Sequence, residues 1–301
     1  MYEVTKKRYA AVLLVTVGCI ALMMSTRPGI AAPDAFPMNT TRSALVSLLT
    51  VEGPHAWWAQ NKYIASAQKL ACSFRKHSDL DMVLLVVDEY HTLRETDMGR
   101  LRDSGWMVHR VQSGSVPKSG AWNTYYSAKL FSKLLVWRLT MYEQILYTDL
   151  DSLFIHSPNS LFKTSITNEN PAMALDVSYR HYFNAGVIML KPSENEFRRL
   201  VAAMNGNTHS GEFAEQDFLN IFYHGRMIQL DKRFNTQVCS KEEKGCLNDR
   251  VMGFLPFEEW LETGRNTTVL LHFVGENKPW NLKNCVAQGI VQLCMYWKSF
   301  K

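Results

Sequence analysis

A chain of 301 residues can bury one substantial core, as one large α/β domain or as two small ones. Its 47% hydrophobic content and mean hydropathy of −0.17 are those of an ordinary globular protein. A formal charge of +5 is mild: it fits an anionic small substrate or nothing in particular, and no basic tract points to nucleic acid as a partner.

The N-terminus departs from that average. Lys6-Lys7-Arg8 precede an uninterrupted apolar stretch, residues 9–24. Extended through Ser25 and Thr26, the stretch would reach about 27 Å as a helix, which matches a thin early secretory membrane. Basic residues on its N-terminal side predict a cytoplasmic N-terminus. Residues 1–8 then read as a cytoplasmic tail and 9–26 as an uncleaved signal anchor. That topology describes a single-pass type II protein of the Golgi or ER membrane with its body in the lumen. Cleavage after Ala31 or Ala32 is the alternative and would give a secreted form. Residues 27–42, with Pro28, Pro33 and Pro37, read as a stem, and the folded domain is expected over 43–301. Sequons at Asn39 and Asn266 would both lie on the luminal side.

From Ala44 onward strand-like and helix-like segments alternate. Residues 44–50 are strand-like. Residues 63–75 put Ile64, Ala67, Leu70, Ala71 and Phe74 on one helical face. A strand over 82–87, a charged helix near 95–104 and a strand over 107–111 follow. A polar loop with Pro117 and Gly120 leads to an expected helix over 126–137. Residues 183–190 and 269–273 supply later strands. This alternation predicts an α/β fold with a mostly parallel sheet covered by helices on both faces. No Gly-x-Gly-x-x-Gly follows the first strand, which argues against a dinucleotide-binding oxidoreductase.

Between the expected helix 126–137 and the later strands lies Ile145-Leu146-Tyr147-Thr148-Asp149-Leu150-Asp151. It reads as a buried strand that delivers two carboxylates at its C-terminal end, where open α/β sheets bind ligands. Two hard oxygen ligands there suit Mn²⁺ or Mg²⁺, and such an ion suits a diphosphate. A second copy of the pattern, Asp79-Leu80-Asp81, precedes its strand and reads as a solvated turn. Of the six cysteines, Cys19 is in the apolar segment and Cys72 reads as a small core residue on a helix. Cys239 with Cys246 and Cys285 with Cys294 form two close pairs whose spacing suits disulfides better than zinc.

Four segments carry a resemblance. They are Lys133-Leu134-x-x-Trp137 followed by Tyr147-Thr148-Asp149-Leu150-Asp151, then Phe183-Asn184-Ala185-Gly186-Val187. Glu215-Gln216-Asp217-x-Leu219-Asn220 is the third, and His272-Phe273-Val274-Gly275-x-x-Lys278-Pro279-Trp280-Asn281 the fourth. In order and spacing they resemble the family-8 retaining glycosyltransferases, over about residues 46–281. The resemblance implies a GT-A fold, a Rossmann-like sheet that binds a UDP-sugar donor and Mn²⁺. It implies a glycan, glycoprotein, lipid or small-molecule acceptor.

By the same resemblance Asp149 and Asp151 hold the metal and His272 completes the set. Alone and mid-strand, His272 would read as a core histidine. Lys278 is implied to contact the diphosphate and Gly275 to let backbone approach it. Lys133 and Asn184 belong to the donor-sugar end, and Leu150 and Ala185 are among the expected donor-binding residues. Leu48, Thr50 and Tyr63 match uridine-contacting positions. Glu215-Gln216 matches an Asp-Gln pair beside the anomeric carbon, and Glu212 falls where relatives carry another Asp. Glu for Asp lengthens each arm by a methylene, enough to matter for a positioned catalytic group. An insertion over residues 53–62, with Trp57 and Trp58, reads as an acceptor or lid loop or a surface excursion. Three other readings stand beside the transferase. They are a silent member that binds UDP-sugar without transfer, a glycogenin-like self-glucosylating protein, and a metal-dependent nucleotide hydrolase. The last fits the aspartates but not the other segments.

Overall fold

The computed structural model describes residues 43–51, 57–88, 91–111, 129–177, 181–206, 214–239, 255–256, 259–274, 278–280, 295–297 and 299. The tail, anchor and stem expected over residues 1–42 lie outside them, as do Gly275, Glu212, the loop with Pro117 and Gly120, and three of the four paired cysteines. Among the described residues no helix is long and apolar enough to cross a membrane.

The first half of the domain follows the expected alternation. Strand β1 (Ser43–Thr50) leads to helix α1 (Trp57–Arg75), then β2 (Asp81–Val87), α2 (Glu95–Asp103) and β3 (Met107–Val111). β4 (Gln144–Thr148) returns beside β1. These four strands are mutually parallel, in the order β3-β2-β1-β4. Helix α1 buries the face that its spacing predicts: Ile64, Ala67, Leu70, Ala71 and Phe74 are each 0–1% exposed. Phe74 meets Phe154 edge-on at 5.0 Å. Burying the Ile64, Leu70 and Phe74 side chains contributes about 1.5–3 kcal/mol each. Cys72, on the same helix, is only partly buried, at the border of that face.

The second half departs from the expectation. The chain leaves β4 through β5 (Ser152–Phe154), which joins a separate sheet. It re-enters the main sheet with β6 (Ala172–Leu175) and β7 (Phe183–Leu190), antiparallel to each other, and β7 runs antiparallel to β4. The seven-residue connection, residues 176–182, is too short for a crossover helix, so β6 and β7 pair as a hairpin does. Helices α3 (Glu194–Gly206) and α4 (Glu215–Phe222) follow, and β8 (Ile228–Gln229) extends the edge. The main sheet has the order β3-β2-β1-β4-β7-β6-β8. Four of its neighbouring pairs are parallel and two antiparallel, so it is mostly parallel.

The second sheet has the order β10-β9-β11-β5, from β9 (Thr236–Cys239), β10 (Leu255–Pro256) and β11 (Leu270–Phe273). The strand expected near 269–273 therefore lies here and not in the main sheet. Two local corrections follow. Of the expected helix over 126–137, residues 126–128 lie outside the described residues, 129–130 are α-helical, and Phe131–Arg138 winds on as a 3₁₀ helix in which every residue from Phe131 to Trp137 is buried. Packing from all sides, not a one-faced stripe, sets its winding. Residues 57–62 of the expected insertion are the first turns of α1.

Candidate active site

The Asp149–Asp151 turn is the hinge between the two sheets. Ser47 Oγ donates to the carbonyl of Thr148 at 2.6 Å, and Ser66 Oγ donates to that of Leu150 at 2.6 Å. The Leu150 side chain is buried in the main core, so the two aspartates on either side turn outward together. Asp149 N–H donates to Gly186 O across β4 and β7 at 2.8 Å. In the other sheet, β11 pairs with β5 so that His272 stands opposite Ser152, and Phe273 N–H donates to Asp151 O at 2.9 Å. Strand register thus brings Asp149, Asp151 and His272 together from two sheets. One ligand atom of each lies within 4.8 Å of the others.

The carboxylates sit among lysines. Lys133 Nζ donates to Glu215 Oε1 at 2.7 Å and Ala185 O at 3.0 Å, and lies 3.3 Å from Asp149 Oδ1. Burial of Lys133 opposes its charge, but Asp149 and Glu215 outweigh that and raise its pKa above the usual lysine value. Tyr147 OH donates to the same Asp149 oxygen at 2.6 Å. Burial, then Asp149, pushes that phenol well above its ordinary range. Lys278 Nζ donates to Asp151 Oδ2 at 2.5 Å and to Phe273 O at 2.7 Å. Burial would raise the Asp151 carboxyl, but the Lys278 ammonium, with His272 beside it, holds it well below the usual carboxylate range.

One atom in this cluster has no hydrogen-bond partner. Asp151 Oδ1 is buried and accepts nothing, although His272 Nε2 stands 3.3 Å away. A buried carboxylate oxygen left alone costs about 1–3 kcal/mol. A divalent cation between Asp149, Asp151 and His272 would satisfy it. Two ligands of an ion at about 2.1 Å each are at most about 4.2 Å apart, so a spread of 4.8 Å needs closure of under an ångström. The donor set fits a divalent ion.

The remaining expected residues gather at the same edge. Gln216, at the start of α4, accepts from Ala185 N–H at 2.9 Å and donates to Asp176 Oδ2 at 3.2 Å. Asn220 on the next turn accepts from Phe183 N–H and donates to Phe183 O, each at 2.8 Å, and so clamps α4 to β7. Asn184, which the resemblance places at the donor sugar, is held by three protein groups. It is 7% exposed, and its amide oxygen accepts from Gly186 N–H at 3.0 Å and Asn235 Nδ2 at 2.9 Å. Its amide nitrogen donates to Asp176 Oδ2 at 2.9 Å. Leu48 is buried and Thr50 half-buried at the C-terminal end of β1, and Tyr63 is exposed on α1, 5.5 Å edge-on from Trp280.

The sequence reading missed Asp176 and Asn235. Asp176 had a usable signal, a carboxylate directly after the apolar strand β6, on the same sheet edge as Asp149. Asn235, 1% exposed at the end of a 3₁₀ turn (Lys232–Asn235), had none.

Comparison with known proteins agrees with the fold and the motifs. Residues 59–284 match glycosyl transferase family 8. A glycogenin of Komagataella phaffii is 26% identical over 276 residues, 85% of this chain and 64% of that protein. UDP-glucuronate:xylan alpha-glucuronosyltransferase 1 of Arabidopsis thaliana is 24% identical over 257 residues, 77% of this chain and 37% of its own length. The chain thus spans less than two thirds of these relatives. Among solved structures, the bifunctional glycosyltransferase WbbM has a TM-score of 0.63 at 16% identity, covering 89% of this chain and 53% of its own. The galactosyltransferase LgtC, in complex with donor and acceptor sugar analogs, has a TM-score of 0.57 at 17% identity, covering 86% and 96%.

Proposed function

The chain belongs to glycosyl transferase family 8, and from that premise we propose that it transfers a sugar from a UDP-sugar to an acceptor. The observation that carries the reading is the buried, unpartnered Asp151 Oδ1 facing His272 Nε2 beside Asp149. Asp149, Asp151 and His272 would hold Mn²⁺, or Mg²⁺ in its place. When bound, such an ion neutralises a diphosphate and the charge that grows on departing UDP. Lys278, on Asp151 and the Phe273 carbonyl, stands ready to meet the same phosphates. Lys133, Asp176, Glu215 and Gln216 form a linked wall at the sugar end. Retention of anomeric configuration follows from the family.

The location rests on sequence alone. Lys6-Lys7-Arg8 before apolar residues 9–24 support a type II Golgi or ER protein with a luminal catalytic domain. One observation favours a second reading, a UDP-sugar-binding protein without transfer: the Glu215 carboxylate is buried and engaged by Lys133 at 2.7 Å. The test incubates the full chain with Mn²⁺ and a panel of UDP-sugars and measures UDP, with and without chelator. The transferase reading expects Mn²⁺-dependent UDP release from one donor. Calorimetric binding of a UDP-sugar without UDP release from any donor supports the silent reading instead, and no binding sinks both.

A further inference from the structure

The orientation of every group behind His272 follows from the hydrogen bonds. A backbone N–H can only donate, so the Asn184 atom that meets Gly186 N–H is its amide oxygen. That oxygen also faces the Asn235 side chain at 2.9 Å, so the Asn235 atom there is its NH₂. The Asn235 oxygen therefore points the other way, 2.9 Å from His272 Nδ1. An amide oxygen cannot donate, so Nδ1 carries the hydrogen. In the neutral ring the lone pair is then on Nε2, the nitrogen that faces Asp151 Oδ1 at 3.3 Å. Gly186 completes the cradle. A Cβ there would stand 2.2 Å from His272 Cε1, so only glycine admits the ring in this position.

We propose that Asn235 is a positioning residue that holds His272 in its Nδ1–H tautomer and so presents Nε2 to a divalent cation, with Asn184 and Gly186 fixing Asn235 and the ring. The inference rests on the metal reading of Asp149, Asp151 and His272. It gives Asn184 a role behind the site, since three of its four hydrogen-bonding positions are taken by Gly186, Asn235 and Asp176. Groups that orient a ligating histidine typically contribute 10–100-fold to metal affinity.

The test uses the full chain and two readouts other than turnover. The first is ¹⁵N NMR of the histidine rings in metal-free protein at alkaline pH, with His272→Gln assigning the signal. The expected ring has Nδ1 protonated and Nε2 bare, and Asn235→Leu should shift it toward the Nε2–H form. The second is Mn²⁺ affinity from the paramagnetic resonance of unbound Mn²⁺. Asn235→Leu should weaken it by about 10–100-fold. Asn235→Asp keeps an acceptor for Nδ1–H and should stay within about threefold of the parent, well inside the effect of losing that acceptor. A parent ring with Nε2–H overturns the inference whether or not either variant folds. Parental affinity in a folded Asn235→Leu overturns it alone. A parent that binds no Mn²⁺ overturns the metal reading and the inference with it.

Discussion

The tripeptide Asp-Leu-Asp occurs twice in this chain, and its two copies end up at opposite ends of one sheet. Asp79-Leu80-Asp81 leads into the start of β2, where both aspartates are exposed and Asp81 accepts one hydrogen bond, from Tyr142 OH at 3.1 Å. Asp149-Leu150-Asp151 follows β4, where the Asp149 and Asp151 side chains are 34% and 14% exposed and meet Lys133, Tyr147, His272 and Lys278. In each copy the leucine packs against the main core. The difference therefore lies not in the tripeptide but in the strand end it occupies and in what the second sheet delivers there. A carboxylate pair gains chemistry only where other segments converge on it.

The largest way to break this comparison is on turnover. Asp149→Ala or Asp151→Ala should lower Mn²⁺-dependent UDP release by about 1000-fold or more, the scale of removing a group that stabilises transition-state charge. Asp79→Ala and Asp81→Ala should stay within about twofold, as surface changes do. Equal damage from both copies would show that position on the sheet does not matter.

A smaller effect concerns the glycine beneath the histidine. Gly186→Ala must displace His272 and should weaken Mn²⁺ binding by about 10–100-fold while costing about 1–3 kcal/mol of stability. Gly99, on α2, has open space around it, so Gly99→Ala should be neutral or stabilise by up to about 1 kcal/mol. Denaturant unfolding and Mn²⁺ titration of the two variants separate crowding at the ring from a general effect of glycine replacement.

The acid limb of stability gives a third test. The Asp151 carboxyl is held below its ordinary value, so its contribution is fully present above the unfolded pKa of about 4 and is lost as pH falls toward the lowered folded value. Melting temperature of the metal-free chain should therefore fall less steeply below pH ~4 in Asp151→Asn than in the parent. Asp81→Asn, at the exposed copy, should track the parent. Coincident acid limbs for the parent and Asp151→Asn would remove the Lys278–Asp151 pair from the account. The smallest expected effect is at the hinge: Ser66→Ala loses a buried bond to Leu150 O and should cost about 1 kcal/mol. Tyr142→Phe, which loses the bond to Asp81, should cost less than about 0.5 kcal/mol in the same unfolding measurement.

The legible parts were those with a local signal. The helical stripe of α1 and the strand that ends at Asp149 are written in periodicity and length, and both occur where the residues predict them. The antiparallel half of the main sheet was not legible, because β6 and β7 are paired by a connection too short for a crossover helix rather than by any composition of their own. The 3₁₀ turn that carries Lys133 has no amphipathic stripe to read. Asp176 followed the same strand-end rule as Asp149 and could have been found by applying it again. Asn235 could not, since a buried asparagine acquires its meaning only when Asn184 and His272 arrive from other strands.

The most direct test counts Mn²⁺ bound per chain in the presence of UDP, for the parent, Asp151→Ala and Asp81→Ala. The account predicts one tightly bound ion in the parent, its loss in Asp151→Ala and its retention in Asp81→Ala. A parent without a bound ion, or two variants that bind alike, would contradict it.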